Sequence, residues 1–278
     1  RIENLLPKYL GAEKSEYTAQ AMKITMLGAI ERVYKPSVKF ETMLCLAEDK
    51  QGGGKSTIAR FLAVKDEWFT DDIKNLDDEN IYRKLQGHWI IEFSEMLATK
   101  KTKTVEAIKA FLSRQKDTYK IPYDKYPHDF PRQCIFIGTT NNLDFLPSDR
   151  TGNRRFIPVL VNTETAEAHP LDDEAETRAY IEQAWAEAME IYRSGGYSLI
   201  FPKDLQDVLS EAQKEFTPED PKVGIIQEWL DECEYDSVCS LMIYKEALGN
   251  TIQEPKSWEL REISSIMNKS ITGWEKHH

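Results

Sequence analysis

The feature that most constrains the fold of this chain is a glycine-rich stretch between an apolar run and a helical pattern, MLCLAEDKQGGGKSTIARFLA. Met43 to Ala47 has the length and apolar character of a buried strand, and Thr57 to Ala63 has apolar residues at helical spacing. A strand that leads through glycines into a helix places backbone N–H groups and the positive end of the helix around an anion. The stretch therefore predicts a phosphate-binding loop after a buried strand.

The loop matches the pattern G-x-x-x-x-G-K-[ST] of nucleoside triphosphate sites at every fixed position except the first. Lys55 would reach the β- and γ-phosphates, and the Ser56 hydroxyl would ligate Mg²⁺. Asp49 occupies the position of the first glycine, and aspartate tolerates positive φ better than most residues. A flexible glycine loop that binds nothing is the alternative. The predicted nucleotide-binding residues are Gly52, Gly53, Gly54, Lys55, Ser56 and Thr57.

A second apolar run, HWIIEFSEM, ends in two carboxylates. Triphosphate hydrolysis needs a carboxylate that holds Mg²⁺ from the side opposite the loop and a group that orients the attacking water. Glu92 falls at the end of the run, where the carboxylate on the Mg²⁺ side belongs, and Glu95 lies where a base can reach the water. The spacing alone does not assign the two roles. Two solvent-facing glutamates after an edge strand are the alternative.

Two further segments supply candidate groups for the γ-phosphate. The run RQCIFIGTTNN predicts a strand from Arg132 to Thr140, which delivers Asn141 to the sheet edge where ligands bind in α/β proteins. The segment SDRTGNRRF follows with Arg150, Arg154 and Arg155, and an arginine at the γ-phosphate stabilises the charge of the transition state. The alternative for the first segment is a turn built from Thr and Asn. The alternative for the second is that its arginines pair with structural carboxylates.

The order of strand, glycine loop, helix, strand, helix and strand predicts an α/β fold. We expect a helical lead-in over residues 1–40, a catalytic domain over 41–216, and a small, mostly helical domain over 217–278. The break is placed at the segment TPEDP, after two amphipathic helices. The last domain has three short helical patterns and a possible terminal hairpin in ITGWEK, which is typical of a winged helix, although a plain helical lid has the same pattern.

The charge of the chain is unevenly distributed around a net value of −11. Residues 97–133 carry nine Lys/Arg against four Asp/Glu, whereas residues 164–234 carry five against nineteen. Basic residues interleaved with tyrosines are what a single-strand groove uses, through phosphate pairing and base stacking. The segment 97–133 therefore predicts a DNA-binding surface, with a solvated charged face as the alternative. The candidate residues are Lys100, Lys101 and Lys103.

The remaining composition describes an intracellular globular protein. No stretch approaches the roughly 18 uninterrupted apolar residues of a membrane span. The four cysteines have neither zinc-ligand spacing nor a disulfide pattern, which indicates reduced thiols in a cytoplasmic protein. The chain begins at Arg1 and ends at His277-His278, so we expect a fragment that carries the remnant of a purification tag and lacks an upstream domain.

The four motifs occur in order over roughly residues 10 to 161, and together they resemble the virulence-associated protein E family of phage and genomic-island P-loop ATPases. That family is similar to the superfamily 3 and AAA+ replication helicases and initiators. The resemblance implies a ring-forming, DNA-dependent ATPase that acts in mobile-element replication, in the cytoplasm of a bacterial host. Asp49 departs from the usual glycine of the family.

The combined expectation is a P-loop ATPase, similar to AAA+ and superfamily 3 proteins, that uses ATP with Mg²⁺ and acts on DNA as a homo-oligomer, for example a hexamer. Glu92 and Ser56 would hold Mg²⁺, Glu95 the water and Asn141 the γ-phosphate, and Arg154 or Arg155 would act from a neighbouring subunit. One rival is an ATP-binding switch or DNA-binding regulator without helicase activity. The other is a small-molecule kinase or GTPase, but the chain has no N-K-x-D type segment for guanine.

Overall fold

The computed structural model describes residues 1–73, 76, 81–94, 102–146, 153–218 and 220–276. The chain forms two compact units, Arg1–Pro218 and Glu219–His278. The helices of the first unit are α1 (Ile2–Leu10), α2 (Glu16–Tyr34), α3 (Lys55–Leu62), α4 (Ile81–Lys84), α5 (Thr102–Leu112), α6 (Glu174–Ser194) and α7 (Lys203–Glu215). Its strands are β1 (Met43–Ala47), β2 (Phe69–Thr70), β3 (Ile90–Ser94), β4 (Lys116–Tyr119), β5 (His128–Pro131), β6 (Ile135–Thr140) and β7 (Phe156–Leu160).

The centre of the first unit is a sheet of five parallel strands in the order β2-β3-β6-β1-β7. Leu44 of β1 lies beside Ile137 of β6 on one side and Ile157 of β7 on the other. Every residue of β1 and β6 is buried, as expected for parallel strands covered on both faces. The predicted α/β fold is confirmed, and the three apolar runs predicted as strands form β1, β3 and β6.

The first 40 residues belong to the core of this unit and do not form a separate lead-in. The N-terminal helix α1 was not predicted, because it is short and contains Pro7. The second helix, α2, begins after Ser15, whose hydroxyl accepts a hydrogen bond from the N–H of Thr18 at 3.2 Å. Leu6 of α1 and Met22 of α2 are fully buried in the same cluster as the apolar residues of the sheet.

A two-stranded antiparallel hairpin, β4–β5, precedes the central strand β6. Its strands pair Lys116 with Pro131, and the rings of Tyr119 and Phe130 stack with centroids 4.2 Å apart. Pro131 lies four positions before the first residue of β6. The hairpin therefore leaves the sheet at the edge where β6 begins, which is the edge opposite the carboxyl ends of the parallel strands.

The second unit is helical in its described residues, with α8 (Pro221–Glu232), α9 (Ser240–Met242) continued by a π-helical turn (Ile243–Ala247), and α10 (Ser257–Lys269) around a small apolar core. The expected terminal hairpin is wrong, because residues 271–276 form no strand. Gly273 has a φ of 81°, and the N–H of Thr272 donates to the Gln227 side chain of α8 at 3.0 Å. The hydrogen bond joins this segment to α8.

The longest helices of the described chain, α6 and α2, have 21 and 19 residues and carry charged side chains along their lengths. None of the described helices combines the length and the apolar character that crossing a bilayer requires.

Candidate active site

The glycine-rich loop joins the end of β1 to the start of α3. The helix begins at Lys55, and its N-cap, Gly54, has a φ of 83° in the left-handed region. Gly52 also has a positive φ, of 82°. Glycine adopts this conformation without a Cβ clash, so both positions favour glycine for their backbone geometry. Asp49 is not among the residues with positive φ, and the substitution at this position therefore introduces no backbone strain.

The middle glycine of the loop is required by close contact. A Cβ on Gly53 would lie 2.4 Å from Oε2 of Glu48 and 2.6 Å from Oγ1 of Thr163. Thr163 belongs to the segment after β7, which packs directly on the loop. A Cβ on Gly54 would likewise lie 2.8 Å from the Pro170 ring of the same segment. The loop is thus shaped both by its own dihedral angles and by residues more than 100 positions away.

A cavity of about 300 Å³ opens at the carboxyl ends of β1, β3 and β6, beside the start of α3. The start of a helix presents unpaired N–H groups, so this edge of the sheet offers an anion both hydrogen bonds and a favourable dipole. The cavity is lined by Gly52, Gly53, Gly54, Lys55, Ser56, Thr57, Ser94, Thr139, Thr140, Asn141, His169 and Leu171.

Lys55 is the buried cation of this cavity, with 7% of its surface exposed. Its Nζ donates to Oε2 of Glu48 at 3.1 Å, to the carbonyl oxygen of Lys50 at 3.1 Å and to Oδ1 of Asn141 at 2.9 Å. Two residues that the sequence placed in separate motifs, Lys55 and Asn141, are therefore in direct contact. They meet because β1 and β6 are neighbouring parallel strands that end at the same edge.

Glu92 is a buried carboxylate behind two residues of the cavity lining, Ser56 and Thr139, and is 1% exposed. Its Oε1 accepts a hydrogen bond from the Ser56 hydroxyl at 2.5 Å and another from the Thr139 hydroxyl. Burial raises the pKa of Glu92, and the hydrogen bonds from Ser56 and Thr139 only partly oppose this rise. The predicted pair of magnesium ligands, Ser56 and Glu92, thus lies together, with Ser56 in the first turn of α3 and Glu92 in the middle of β3 and not at the end of its apolar run.

Arg154 and Arg155 lie at the other edge of the sheet. They precede Phe156, which pairs with Met43 at the start of β1, whereas the cavity lies beyond the end of that strand. The five residues of β1 span about 16 Å. Neither arginine therefore belongs to the cavity of its own chain.

A family model for the virulence-associated protein E-like domain matches residues 1–218. The chain belongs to this family. The match confirms the resemblance inferred from the four motifs, and it spans the whole first unit up to its boundary at Pro218. A comparison with curated protein sequences gives no match.

Two structures of the NrS-1 C-terminal region are similar to this virulence-associated protein E-like chain. The apo structure of region 305-718 has a TM-score of 0.51 and 16% sequence identity, and the alignment covers 95% of this chain and 62% of that one. The A form apo structure of the same region has a TM-score of 0.52 and 16% identity, with 96% and 62% covered. Identity this low shows a shared fold alone. The chain spans less than two thirds of either structure.

Several predicted residues of the virulence-associated protein E-like domain cannot be placed in the site. Glu95, Lys100, Lys101 and Arg150 lie outside the described residues. Lys103 lies on α5, and its side chain is outside the described structure. The basic segment is also less exposed than its composition indicates, because Arg132 is 2% exposed and Lys109 is 4% exposed.

The sequence interpretation missed four residues of the virulence-associated protein E-like site, namely Glu48, Thr163, His169 and Leu171. Glu48 directly precedes the loop, and its acidic character at the end of an apolar strand is a local signal. The other three come from the segment after β7 and depend on the tertiary fold: His169 and Leu171 line the cavity, and Thr163 bonds to Glu48. Among the described residues no group of three or more His, Cys, Asp or Glu side chains forms a metal site by itself.

Proposed function

We propose that the first unit is a P-loop ATPase domain, similar to AAA+ and superfamily 3 proteins, that binds ATP with Mg²⁺ and hydrolyses it. The observation that carries the proposal is the convergence of three groups on one cavity. Lys55 is a buried cation, Ser56 is bonded to the buried carboxylate of Glu92, and Asn141 contacts Lys55. A glycine loop that opens a helix frames all three. A lysine, a carboxylate and a hydroxyl at the start of a glycine-framed helix are the groups that a triphosphate with Mg²⁺ requires.

The triphosphate would lie along the loop and the start of α3. The backbone N–H groups of the first turn of α3 would donate to its phosphates, and Lys55 would contact the β- and γ-phosphates. Ser56 and Glu92 offer the hard oxygen ligands that Mg²⁺ prefers, and their oxygens already meet at 2.5 Å. Mg²⁺, when bound, neutralises charge on the phosphates.

Hydrolysis also requires groups that act on the attacking water and on the γ-phosphate. Glu95 follows β3 by one residue, and we assign it the role of orienting the water. Asn141 is assigned to the γ-phosphate, because it follows β6 at the mouth of the cavity. Asn141 follows β6, which is paired in register with β3, so the sheet fixes the position of Asn141 relative to Glu92.

Arg154 or Arg155 is assigned to the site of a neighbouring subunit. Both lie at the edge of the sheet opposite their own cavity, about one strand length away. A head-to-tail assembly brings this edge of one subunit to the cavity of the next, and repetition of such a contact closes a ring. The proposal therefore includes a homo-oligomer, with a hexamer as one possible size.

DNA is the proposed partner of this assembly, in mobile-element replication. The hairpin β4–β5 belongs to the predicted basic segment, and its connection exposes Lys120, Lys125 and the fully exposed ring of Tyr123. Lys125 lies over the Tyr126 ring at 5.4 Å. Exposed lysines beside exposed aromatic rings suit a single strand, because they pair with phosphates and stack on bases. The second unit has six Lys/Arg against twelve Asp/Glu, so we assign DNA contacts to the hairpin first.

The test is the rate of ATP hydrolysis with and without single-stranded DNA, for the wild type and for Lys55→Ala. The expected result is a magnesium-dependent rate that DNA stimulates and that Lys55→Ala abolishes without loss of the fold. An unchanged rate in Lys55→Ala contradicts the assigned site. A slow rate of ATP hydrolysis that DNA does not change would favour the alternative, an ATP-dependent switch or regulator without helicase activity.

A further inference from the structure

The ammonium group of Lys55 has three hydrogen-bond acceptors within the protein. They are Oε2 of Glu48 at 3.1 Å, the carbonyl oxygen of Lys50 at 3.1 Å and Oδ1 of Asn141 at 2.9 Å. An ammonium group has three N–H donors, so these contacts use its full donor capacity. A phosphate oxygen that contacts Lys55 must therefore replace one of the three acceptors.

Glu48 is the acceptor least able to move. The residue is 2% exposed, and its second oxygen, Oε1, accepts the backbone N–H of Thr163 at 2.8 Å and the Thr163 hydroxyl at 2.7 Å. Burial alone would raise the pKa of Glu48, but the hydrogen bonds from Thr163 and Lys55 outweigh it and hold the pKa below its usual value. The carboxylate is thus charged and fixed at both oxygens.

The other two acceptors differ in their freedom. The Lys50 carbonyl is part of the loop backbone, and the Lys50 side chain forms an ion pair with Glu164 at 2.5 Å, in the same segment as Thr163. Asn141 is exposed and follows the last residue of β6, so its side chain can change rotamer without disturbing the sheet. Asn141 is therefore the acceptor that can leave when a phosphate arrives.

We infer that Glu48 is a positioning residue, which holds Lys55 toward the phosphates while the phosphates displace Asn141 from the lysine. The inference rests on the proposed function of the site. Glu48 keeps one N–H of the ammonium group, so that the N–H released by Asn141 points into the cavity. The amide of Asn141 is freed by the same exchange, and it then reaches the γ-phosphate. Asn141 is in this way available to the γ-phosphate only when the site is filled.

Glu48→Gln tests the positioning role. Glutamine keeps the shape and an acceptor for Thr163, but it removes the charge that faces Lys55. The dissociation constant of a non-hydrolysable ATP analogue with Mg²⁺ should rise roughly tenfold or more, because a hydrogen bond between charged groups is lost. Thr163→Val removes one of the two donors to Glu48 and should cause a smaller rise. Glu164→Gln is the matched control: it breaks only the exposed ion pair with Lys50 and should leave the constant unchanged.

Asn141→Ala separates the role of Asn141 from that of Glu48, a second of the three acceptors of Lys55. Asn141→Ala removes both the contact with Lys55 that a phosphate must displace and the amide that then reaches the γ-phosphate, and these two effects on analogue binding oppose each other. The dissociation constant of the analogue should therefore change much less than in Glu48→Gln, while kcat falls. If Asn141→Ala weakens binding as much as Glu48→Gln, the proposed exchange is wrong.

The outcomes distinguish this inference from the proposed function. A wild-type chain that does not bind the analogue overturns the proposed function and, with it, the role of Glu48. A second outcome is that the wild type binds the analogue, Lys55→Ala does not, and Glu48→Gln binds it at least as tightly as the wild type. Glu48 then only competes with the phosphates for Lys55. This outcome overturns the inference about Glu48 and leaves the proposed function standing. If Glu48→Gln does not fold, Thr163→Val provides the test. Analogue binding by Thr163→Val that equals that of the wild type would contradict the positioning role of Glu48.

Discussion

Arg155 lies 3.5 Å from Glu41, and its Nε donates to the Ser113 hydroxyl at 2.8 Å. Its side chain is 19% exposed, whereas the side chain of Arg154 is 74% exposed and meets the same glutamate only at 3.7 Å. The two neighbouring arginines therefore differ in their freedom to reach another molecule. Arg155 is held by its own chain, and Arg154 extends from it.

This difference predicts that Arg154, and not Arg155, completes the site of a neighbouring subunit. Arg154→Ala should abolish ATP hydrolysis without changing the thermal midpoint, whereas Arg155→Ala should lower that midpoint. A mixture of Arg154→Ala and Lys55→Ala chains should regain part of the activity, because some interfaces then combine an intact loop with an intact arginine. An arginine finger contributes roughly 10³-fold or more in rate. No recovery in oligomers shown to be mixed would mean that Arg154 does not act between subunits.

The raised pKa of Glu92 predicts a pH dependence of stability. An acid whose pKa is raised by folding stabilises the fold below its unfolded pKa, and this contribution is lost as the pH rises through the folded pKa. Glu92→Gln stays neutral, so its thermal midpoint relative to wild type should increase from about pH 5 to about pH 8 in the absence of Mg²⁺. Thermal unfolding of both chains checks this. Parallel pH profiles would show that burial does not disfavour the charged form of Glu92.

The buried ion pair of Asp117 and Arg132 predicts a large loss of stability when one partner is removed. The guanidinium donates to both carboxylate oxygens, and each side chain is 1% exposed. Asp117→Asn leaves the buried charge of Arg132 poorly compensated and should lower the free energy of unfolding by about 3–5 kcal/mol. Urea denaturation measures this loss.

Arg32 provides the control for that measurement. It is 1% exposed, its Nη2 donates to the Phe40 carbonyl oxygen at 2.6 Å, and its Nε and Nη1 have no hydrogen-bond partner among the described residues. Burial lowers the pKa of the Arg32 guanidinium to about 10. Arg32→Met should change the free energy of unfolding by less than about 1 kcal/mol, because removing an unpaired buried charge offsets the lost bond. Equal losses for Asp117→Asn and Arg32→Met would contradict this reasoning.

The exposed connection of the hairpin predicts two distinct effects on single-stranded DNA binding. Lys120→Ala and Lys125→Ala should weaken binding to all sequences, and each lost phosphate contact should reduce the salt slope by about 0.7. Tyr123→Ala should weaken binding with no change in that slope, because stacking releases no counterions. Lys116→Ala is the control, since its ammonium group is paired with Asp129. Fluorescence anisotropy at several salt concentrations measures both quantities. If substitution of Lys120, Lys125 and Tyr123 leaves DNA binding unchanged, the hairpin is a solvated charged face and not a DNA-binding surface.

The sequence predicted the parts of the fold whose signal is local. Continuous apolar runs at β1, β3 and β6 identified the buried strands, and the parallel order then brought Lys55, Glu92 and Asn141 to one edge. The two-residue strand β2 and the polar hairpin carry no such signal. The terminal hairpin of the second unit was wrong, because its segment is fixed by contacts to α8 that periodicity does not reveal.

The candidate site divides in the same way. Residues of the loop and of the strand ends were found because each follows an apolar run. Thr163 and His169 were missed, because they reach the loop from a segment more than 100 residues later. Nor did the sequence distinguish Arg154 from Arg155, since only the burial of their side chains separates them.

The strand β6 connects the two opposite edges of the sheet in the first unit. The hairpin precedes β6 at one edge of the sheet, and Asn141 follows β6 at the other, about 20 Å away. Because β6 is hydrogen-bonded to β1 and β3 on both sides, it cannot stretch or slip by a residue without breaking two ladders. The sheet therefore fixes the distance between the first residue of β6 and the last. The connection to the hairpin, residues 132–134, and Asn141 beside Lys55 thus lie at the two ends of one element of constant length, and moving either end along the sheet requires ladder hydrogen bonds to break.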